Sequence, residues 1–548
     1  MSEAPVLEIR DLRIATTSGT EVVRGVSLRL ERGEVLAVIG ASGSGKTTLA
    51  LTALGRLRPG LVATGGSVRV SGVETLNATR KALNSLRSRV VAYIAQSAAA
   101  AFNPRFRLGQ QVIEAPLVHQ SQTRTQASEI AHANFRLLNL PDPLAIGRRY
   151  PDEVSGGQLQ RFMIAMGMQE QPLMLVCDEP TSALDVTTQV EVIAELKRVI
   201  AARNTAALFI SHDLAIVAQI ATRIVVMRGG EVVEEGPTDQ ILNAPAQDYT
   251  RELLSACHHF QPQVTIRDGV PEGAPALVVS DVIAGYGKGV DGLPYVTTLF
   301  DASVQVRRGE VVALIGESGS GKSTFARVIA GLLPLRRGAV ELDGATLPPD
   351  IAMRSRADRR RIQLVYQSAD TALNPRQTAR RILCRTLRFY HGMKGAEAEA
   401  RATELLGLVR LPATYMDKRP SEMSGGEKQR LNLARALAAE PEILICDEIT
   451  SALDTIVAVG IVDLIRDLRD RLGLGVLFIS HDLATVSSLA DRVLVLRSGR
   501  EVETGPTARV LAAPQDPYTR LLCASVPQLR PGWLEEAVAA RAAHATKS

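Results

Sequence analysis

Six short apolar runs punctuate the chain in two sets of three. VLAVIG (35–40), LMLVC (173–177) and ALFIS (207–211) lie in the first half; VVALIG (311–316), EILIC (442–446) and VLFIS (476–480) lie in the second. Runs of four to six apolar residues bounded by turn signals fit strands buried on both faces, as in a parallel sheet covered by helices. The stretches at about 103–170 and 374–440 read instead as helical. The pattern predicts an α/β core carrying an inserted helical subdomain, made twice.

The residues beside these runs recur as well. GASGSGKTT (40–48) matches GESGSGKST (316–324), and YIAQSAAAAFNPR (93–105) matches VYQSADTALNPR (365–376). EVSGGQLQR matches EMSGGEKQR, LMLVCDEPTSALD matches EILICDEITSALD, and FISHDLA occurs unchanged in both halves. Five anchors in the same order at nearly constant spacing indicate a duplicated domain rather than a solenoid. The first domain is expected over 1–257, a short polar linker with Pro and Gly over 258–274, and the second domain over 275–525. The tail, 526–548, is compatible with one amphipathic helix, and no function can be read from it.

Composition narrows the class. At 548 residues the chain exceeds one core, and 46 % hydrophobic against 22 % charged residues reads as globular rather than disordered. A net charge of +5 is small for this length and argues against a dedicated nucleic-acid binder. The basic run RSRADRRR (354–361) has an LRSR counterpart in half one and reads as a solvated helix face. The five cysteines stand far apart without C-x-x-C spacing, so neither a disulfide scaffold, a zinc site nor an iron–sulfur cluster is expected, and Cys177 and Cys446 read as small core residues. No signal peptide and no run of 18 apolar residues is seen, and the chain is expected to be cytosolic.

The motifs carry phosphate chemistry. In G-x-x-x-x-G-K-[ST] the glycines turn successive N–H groups toward phosphate oxygens, and the helix that follows adds positive potential. Gly40, Ala41, Ser42, Gly43, Ser44, Gly45, Lys46, Thr47 and Thr48 form one such loop; Gly316, Glu317, Ser318, Gly319, Ser320, Gly321, Lys322, Ser323 and Thr324 form the other. Lys46 and Lys322 are suited to the β- and γ-phosphates, and Thr47 and Ser323 to Mg²⁺. Asp178 and Asp447, closing apolar strands, suit Mg²⁺ through a water; Glu179 and Glu448 beside them are placed to polarise an attacking water. Gln96 and Gln367 offer an amide that senses metal and water. A lone His at a strand end is more often structural, but the duplicated SHD assigns His212 and His481 to the γ-phosphate. Ser155, Gly156, Gly157 and Gln158, with Ser424, Gly425, Gly426 and Glu427, read as a second phosphate-binding element opening a helix. Spacing alone does not say which loop that element serves.

Taken together, the phosphate loop, the glutamine, SGG, the apolar-DE strand, SALD and SHD resemble the ATP-binding cassette (ABC) ATPases over nearly all of both halves. The resemblance implies two tandem ABC-type P-loop ATPase domains, each an α/β core with an inserted helical subdomain, binding ATP and Mg²⁺. It also implies an intramolecular cassette dimer clamped head to tail. One site would then join Gly40–Thr48, Gln96, Asp178, Glu179 and His212 to Ser424–Glu427. The other would join Gly316–Thr324, Gln367, Asp447, Glu448 and His481 to Ser155–Gln158, with Asp185 and Asp454 crossing the interface. Fusion raises the effective concentration of each half for the other.

Departures from the family pattern are few. Val154 and Met423 precede SGG where Leu is usual, and Ile449 stands where half one has Pro180. Tyr286 fits the family's adenine-stacking aromatic for the second loop. Thr16 stands at the matching place in half one, where the first aromatic is Tyr93. With base stacking worth ~1–3 kcal/mol, weaker ATP binding is expected at the first site.

The segments APAQDYTRELLSA (244–256) and APQDPYTRLLCASVP (513–527), with FNPR and LNPR, resemble dipeptide, oligopeptide and nickel permease ATPases. That resemblance implies an importer working with two transmembrane permease subunits and an extracytoplasmic solute-binding protein, with this chain on the cytoplasmic face of the membrane and no nucleic acid. A soluble ABC-F-type ATPase acting on ribosomes is the alternative, disfavoured by the short, weakly charged linker. A DNA-repair ABC ATPase is disfavoured by the missing CxxC motifs.

Overall fold

A computed structural model of the chain describes residues 4–182, 184–259, 273–287, 289, 293–451 and 453–545. Most of the expected linker, 260–272, lies outside the described residues, as do Ala183 and Ala452 of the two SALD segments. The chain divides into two compact units, one of Met1–Cys257 with Pro527–Ser548 and one of His258–Val526.

In the first unit a six-stranded sheet runs in the order Glu231–Pro237, Arg223–Arg228, Val35–Ile39, Ala206–Ile210, Met174–Asp178, Val91–Ile94. All its neighbouring pairs are parallel except the edge pair Glu231–Pro237 with Arg223–Arg228. The three runs singled out by their apolar pattern are the central strands, and every residue of Val35–Ile39, Met174–Asp178 and Ala206–Ile210 is buried. A second, antiparallel sheet pairs Leu7–Thr16 with Glu21–Leu30 and Leu61–Val70. Its inward residues alternate with exposed ones and pack on the same core as the central strands.

The helical subdomain is built from short helices and one longer one, Arg124–Leu137, whose start is set by a Thr123–Gln126 capping box. Phe135 and Phe162 meet edge to face at 4.9 Å between ring centres and fasten this subdomain to the helix Gly156–Gly167. Helix Val186–Arg203 starts at Asp185, whose carboxylate accepts from Thr188 N at 2.9 Å, and ends at the left-handed Asn204.

The second unit repeats the design with strands Ile362–Val365, Ile443–Asp447, Gly475–Ile479, Val311–Ile315, Arg492–Arg497 and Arg500–Pro506. Its subdomain uses the longer helices Ala379–His391 and Gly395–Leu408. The basic run before them is not uniformly solvated. Arg354 is buried and donates to the carbonyls of Ile329 and Pro348, holding the end of the helix that follows the phosphate loop. Cys177 and Cys446 lie at 0 % exposure inside the central strands.

The segment after the second cassette forms the helix Trp533–Ala545, which packs on helix Val186–Arg203 of the first unit.

Candidate nucleotide sites

Each phosphate loop joins a fully buried strand to a helix, Lys46–Thr52 in the first unit and Lys322–Ile329 in the second. The opening glycines cannot be replaced. A Cβ on Gly40 (φ +144°) would lie 2.0 Å from the Met227 carbonyl oxygen, and one on Gly316 (φ +151°) 2.2 Å from that of Leu496. The lysines curl over the loops: Lys46 Nζ donates to the carbonyls of Gly40 and Ala41 at 2.7 and 2.8 Å, and Lys322 Nζ to those of Gly316 and Glu317 at 2.8 Å each. Ser44 Oγ and Ser320 Oγ are buried in the loops without a hydrogen-bond partner among the described residues. An anion seated among the loop N–H groups would supply that acceptor.

Beside each loop stands an acidic pair with two distinct environments. Thr47 Oγ1 donates to Asp178 Oδ1 at 2.9 Å, and Ser323 Oγ to Asp447 Oδ1 at 3.1 Å. A hydroxyl and a carboxylate at this separation form the oxygen donor set a hard divalent cation takes, and Mg²⁺ fits here. Burial pushes both aspartates above the ordinary carboxylate range, only partly countered by the hydroxyl donors. For Glu179 and Glu448 burial acts in the same sense, but the histidines reverse it. His212 Nδ1 lies 3.2 Å from Glu179 Oε1, and His481 Nδ1 lies 3.5 Å from Glu448 Oε1. Their hydrogen bonds and charge hold both glutamates below the usual value. Reciprocally, burial lowers the histidines, and the glutamates more than restore them, so both end above the ordinary value. Gln96 Nε2 donates to the other oxygen of Glu179 at 2.9 Å, and Gln367 Nε2 to that of Glu448 at 3.0 Å.

The backbone enforces this aim. Glu179 and Glu448 sit at φ +47° and +48°, the left-handed region, where a non-glycine residue is held at a cost of ~1–3 kcal/mol. Their N–H groups are pinned to the carbonyls of Ile210 and Ile479 at 2.9 and 3.0 Å. The same left-handed residue stands at the same place in both units.

The SGG elements open helices Gly156–Gly167 and Gly425–Leu437 with capping boxes, Ser155 with Gln158 and Ser424 with Glu427. Their two glycines differ in what demands them. A Cβ on Gly157 would come within 2.1 Å of Thr188 Cγ2, and one on Gly426 within 2.4 Å of Val457 Cγ1, so packing requires glycine there. A Cβ on Gly156 or Gly425 would meet only Leu184 or Leu453, at an ordinary 3.8 or 3.7 Å. Packing therefore does not demand glycine at those first positions.

With this geometry in place, the ABC transporter family profile matches residues 23–182 and 299–451. The chain belongs to the ABC transporter family. The profile of the oligopeptide/dipeptide transporter C-terminal region matches 233–279 and 502–547. The glutathione import ATP-binding protein GsiA of Salmonella typhimurium strain LT2 is 36 % identical, covering 96 % of this chain and 90 % of that protein. Its counterpart in Escherichia coli O6:H1 stands at the same identity and coverage. Among solved structures, cbiO1 from Clostridium perfringens, part of the cbiONQ ABC transporter complex, is 25 % identical over 44 % of this chain and 91 % of its own, with a TM-score of 0.39.

Within each family cassette the structure gathers the loop, Asp, Glu, Gln and His chosen from sequence into one site. Gln96 and Gln367, expected at the metal, hydrogen-bond the glutamates. Tyr286 lies over the second loop's helix, its hydroxyl 3.4 Å from Thr324 Oγ1 and accepting from Arg327 Nη1 at 3.1 Å. Thr16 instead closes its own hairpin with Ser18 and Thr20.

Two sets of residues escaped the sequence reading. Tyr249 and Tyr518, the tyrosines of DYTR and PYTR, reach across to the phosphate loops. Their hydroxyls accept from the loop N–H groups of Ala41 and Glu317 at 3.0 and 2.9 Å, with Arg228 and Arg497 stacked on the rings. The recurrence of that tyrosine in both halves was the available signal. Tyr93 hydrogen-bonds Asp178, while half two has Leu364 at the corresponding place, so duplication gave no signal at all.

Proposed function

We propose that this chain energises an ABC importer for peptides of the dipeptide, oligopeptide or glutathione class, with ATP hydrolysed at two composite sites formed head to tail between its cassettes. The observation that carries the reading is the closing segment of each half. It matches the oligopeptide/dipeptide transporter region, and its tyrosine buttresses the phosphate loop. The near full-length likeness to glutathione import ATP-binding proteins supports the same class. The ribosome-acting alternative is not favoured, because that closing region has its match among peptide transporters.

In this reading Gly40–Thr48 and Gly316–Thr324 hold the phosphates through backbone N–H groups, and Lys46 and Lys322 turn from their own loop carbonyls to the phosphate oxygens. Thr47 with Asp178, and Ser323 with Asp447, would hold Mg²⁺; when bound it neutralises phosphate charge. Glu179 and Glu448, ionised and aimed by the strained turn, accept the proton of the attacking water. His212 and His481 fix those carboxylates and place a ring beside the phosphate. Gln96 and Gln367 rest on the same glutamates and sit where the helical subdomain begins, so a change at the glutamate reaches the surface offered to membrane partners. Two transmembrane permease subunits and a solute-binding protein complete the assembly.

The test is purification of the Glu179→Gln/Glu448→Gln chain with ATP from detergent-solubilised membranes. Two multi-spanning membrane proteins in stoichiometric amounts, with ATPase stimulated by peptide-loaded binding protein after reconstitution, support the reading. Ribosomal particles as the stoichiometric partner would overturn it.

A further inference from the structure

The segment after the second cassette is built into the first, and the contacts are specific. Gln219, on the helix that follows His212, is 3 % exposed, and both ends of its amide are taken by that segment. Its Nε2 donates to the carbonyls of Gln528 and Arg530 at 2.7 and 3.0 Å, and its Oε1 accepts from Leu534 N at 3.1 Å. Trp533, Leu534 and Ala537 are buried, at 4, 2 and 5 % exposure. At the rim Lys197 pairs with Glu535 at 2.7 Å, and Arg541 donates to the Thr187 carbonyl at 3.0 Å and pairs with Glu191. Glu191 also binds Arg161 of the SGG helix, which in turn pairs with Glu195 at 2.8 Å.

The socket is present in one cassette only. At the positions matching Gln219, Glu191 and Lys197 the second cassette has Ser488, Gly460 and Arg466. Ser488 Oγ turns back to the Thr485 carbonyl, and Arg466 folds onto Asp463 and the Ser488 carbonyl. A buried amide satisfied at both ends by one segment is costly to leave open, so the first cassette's residues are adapted to hold this segment.

We infer that residues 527–545 are an in-chain clasp. The chain passes from the first unit to the second through 258–274 and returns to the first at Pro527, so the second cassette is held by two routes, one covalent linker and one docked segment. The docked route keeps the cassettes together at high effective concentration when nucleotide leaves. It grips the helices that begin just after Asp185 and His212, so the clasp is anchored on the elements next to the nucleotide.

The test uses the full chain with a protease site placed within 258–274, cleaved in nucleotide-free buffer and followed by gel filtration. The two fragments co-elute when the clasp is intact and separate in Trp533→Ala and in Gln219→Ser, which carries the second cassette's residue. Trp533 is the single tryptophan of the chain, so its emission reports docking directly. It is blue-shifted and protected from acrylamide in the uncut wild type, and red-shifted and quenched in Gln219→Ser. Separation of the wild-type fragments, co-elution that survives both substitutions, or a solvent-exposed Trp533 in the uncut chain would each overturn the inference.

Discussion

The Tyr93 hydroxyl donates to Asp178 Oδ2 at 2.9 Å, and among the described residues no tyrosine hydroxyl does the same for Asp447, because Leu364 stands in its place. The two otherwise matched acidic pairs are therefore buttressed differently. Asp178 shares its charge between Thr47 and Tyr93, whereas Asp447 has the Ser323 hydroxyl. Tyr93→Phe removes a hydrogen bond to a charged group, a loss of about 1.5–3 kcal/mol in this half-buried setting. Chemical denaturation should show that loss, with the Mg²⁺ requirement of the first site alone altered. An unchanged midpoint contradicts the buttress.

The tyrosines of the closing segments act on the loops, not on solute. Tyr249→Phe or Tyr518→Phe leaves the Ala41 or Glu317 N–H without its acceptor, at a cost of about 1–3 kcal/mol. That cost falls on loop geometry, so KM for ATP rises at the affected site while kcat holds. A fall in kcat with KM unchanged would place these residues elsewhere in the cycle.

Base stacking should divide the two sites. Tyr286→Ala is expected to weaken nucleotide binding at the second loop by ~1–3 kcal/mol and bring the two sites to similar affinity. Isothermal titration should resolve two affinities in the wild type and one in the variant. Equal affinities in the wild type would refute the asymmetry.

The glutamate–histidine pairs titrate as coupled groups. Glu179 lies below its ordinary 4.5, so its contribution to stability is full above that pH and is lost as pH falls through the folded value. His212 lies above its ordinary 6.5, so its contribution is full below that pH and is lost as pH rises through the folded value. The charged pair thus stabilises most between the two ordinary values, 4.5 and 6.5, and its contribution falls away on either side. Glu179→Gln should return the His212 midpoint downward, as read from its ring-proton NMR shift, and Glu448→Gln should do the same for His481. A midpoint unmoved by the substitution would separate the two groups.

Much of this was legible in the chain itself. The apolar runs became the central strands because a strand buried on both faces has no polar position to spare, as all five residues of Val35–Ile39 show. The loop, Asp, Glu, Gln and His could be chosen because each half carries the same set. Duplication filters out chance, and it fails where the halves differ. Tyr93 has no partner in the repeat, and the Gln219 socket pairs with a segment more than 300 residues away. Arg354 read as solvated because its composition is shared with its neighbours, yet its burial depends on carbonyls at Ile329 and Pro348 that only the fold brings near. The left-handed turn at Glu179 leaves no trace in residue type.

In the proposed function each phosphate loop is completed by the SGG element of the other half. The most direct measurement is photolabelling of the Glu179→Gln/Glu448→Gln chain with azido-ATP, followed by mapping of the label to the two loops with and without Ser424→Arg. The account predicts two nucleotides retained per chain, and loss of the label at the loop of Lys46, not at that of Lys322, when Ser424 is changed. Retention at the first loop, or loss at the second, would contradict it.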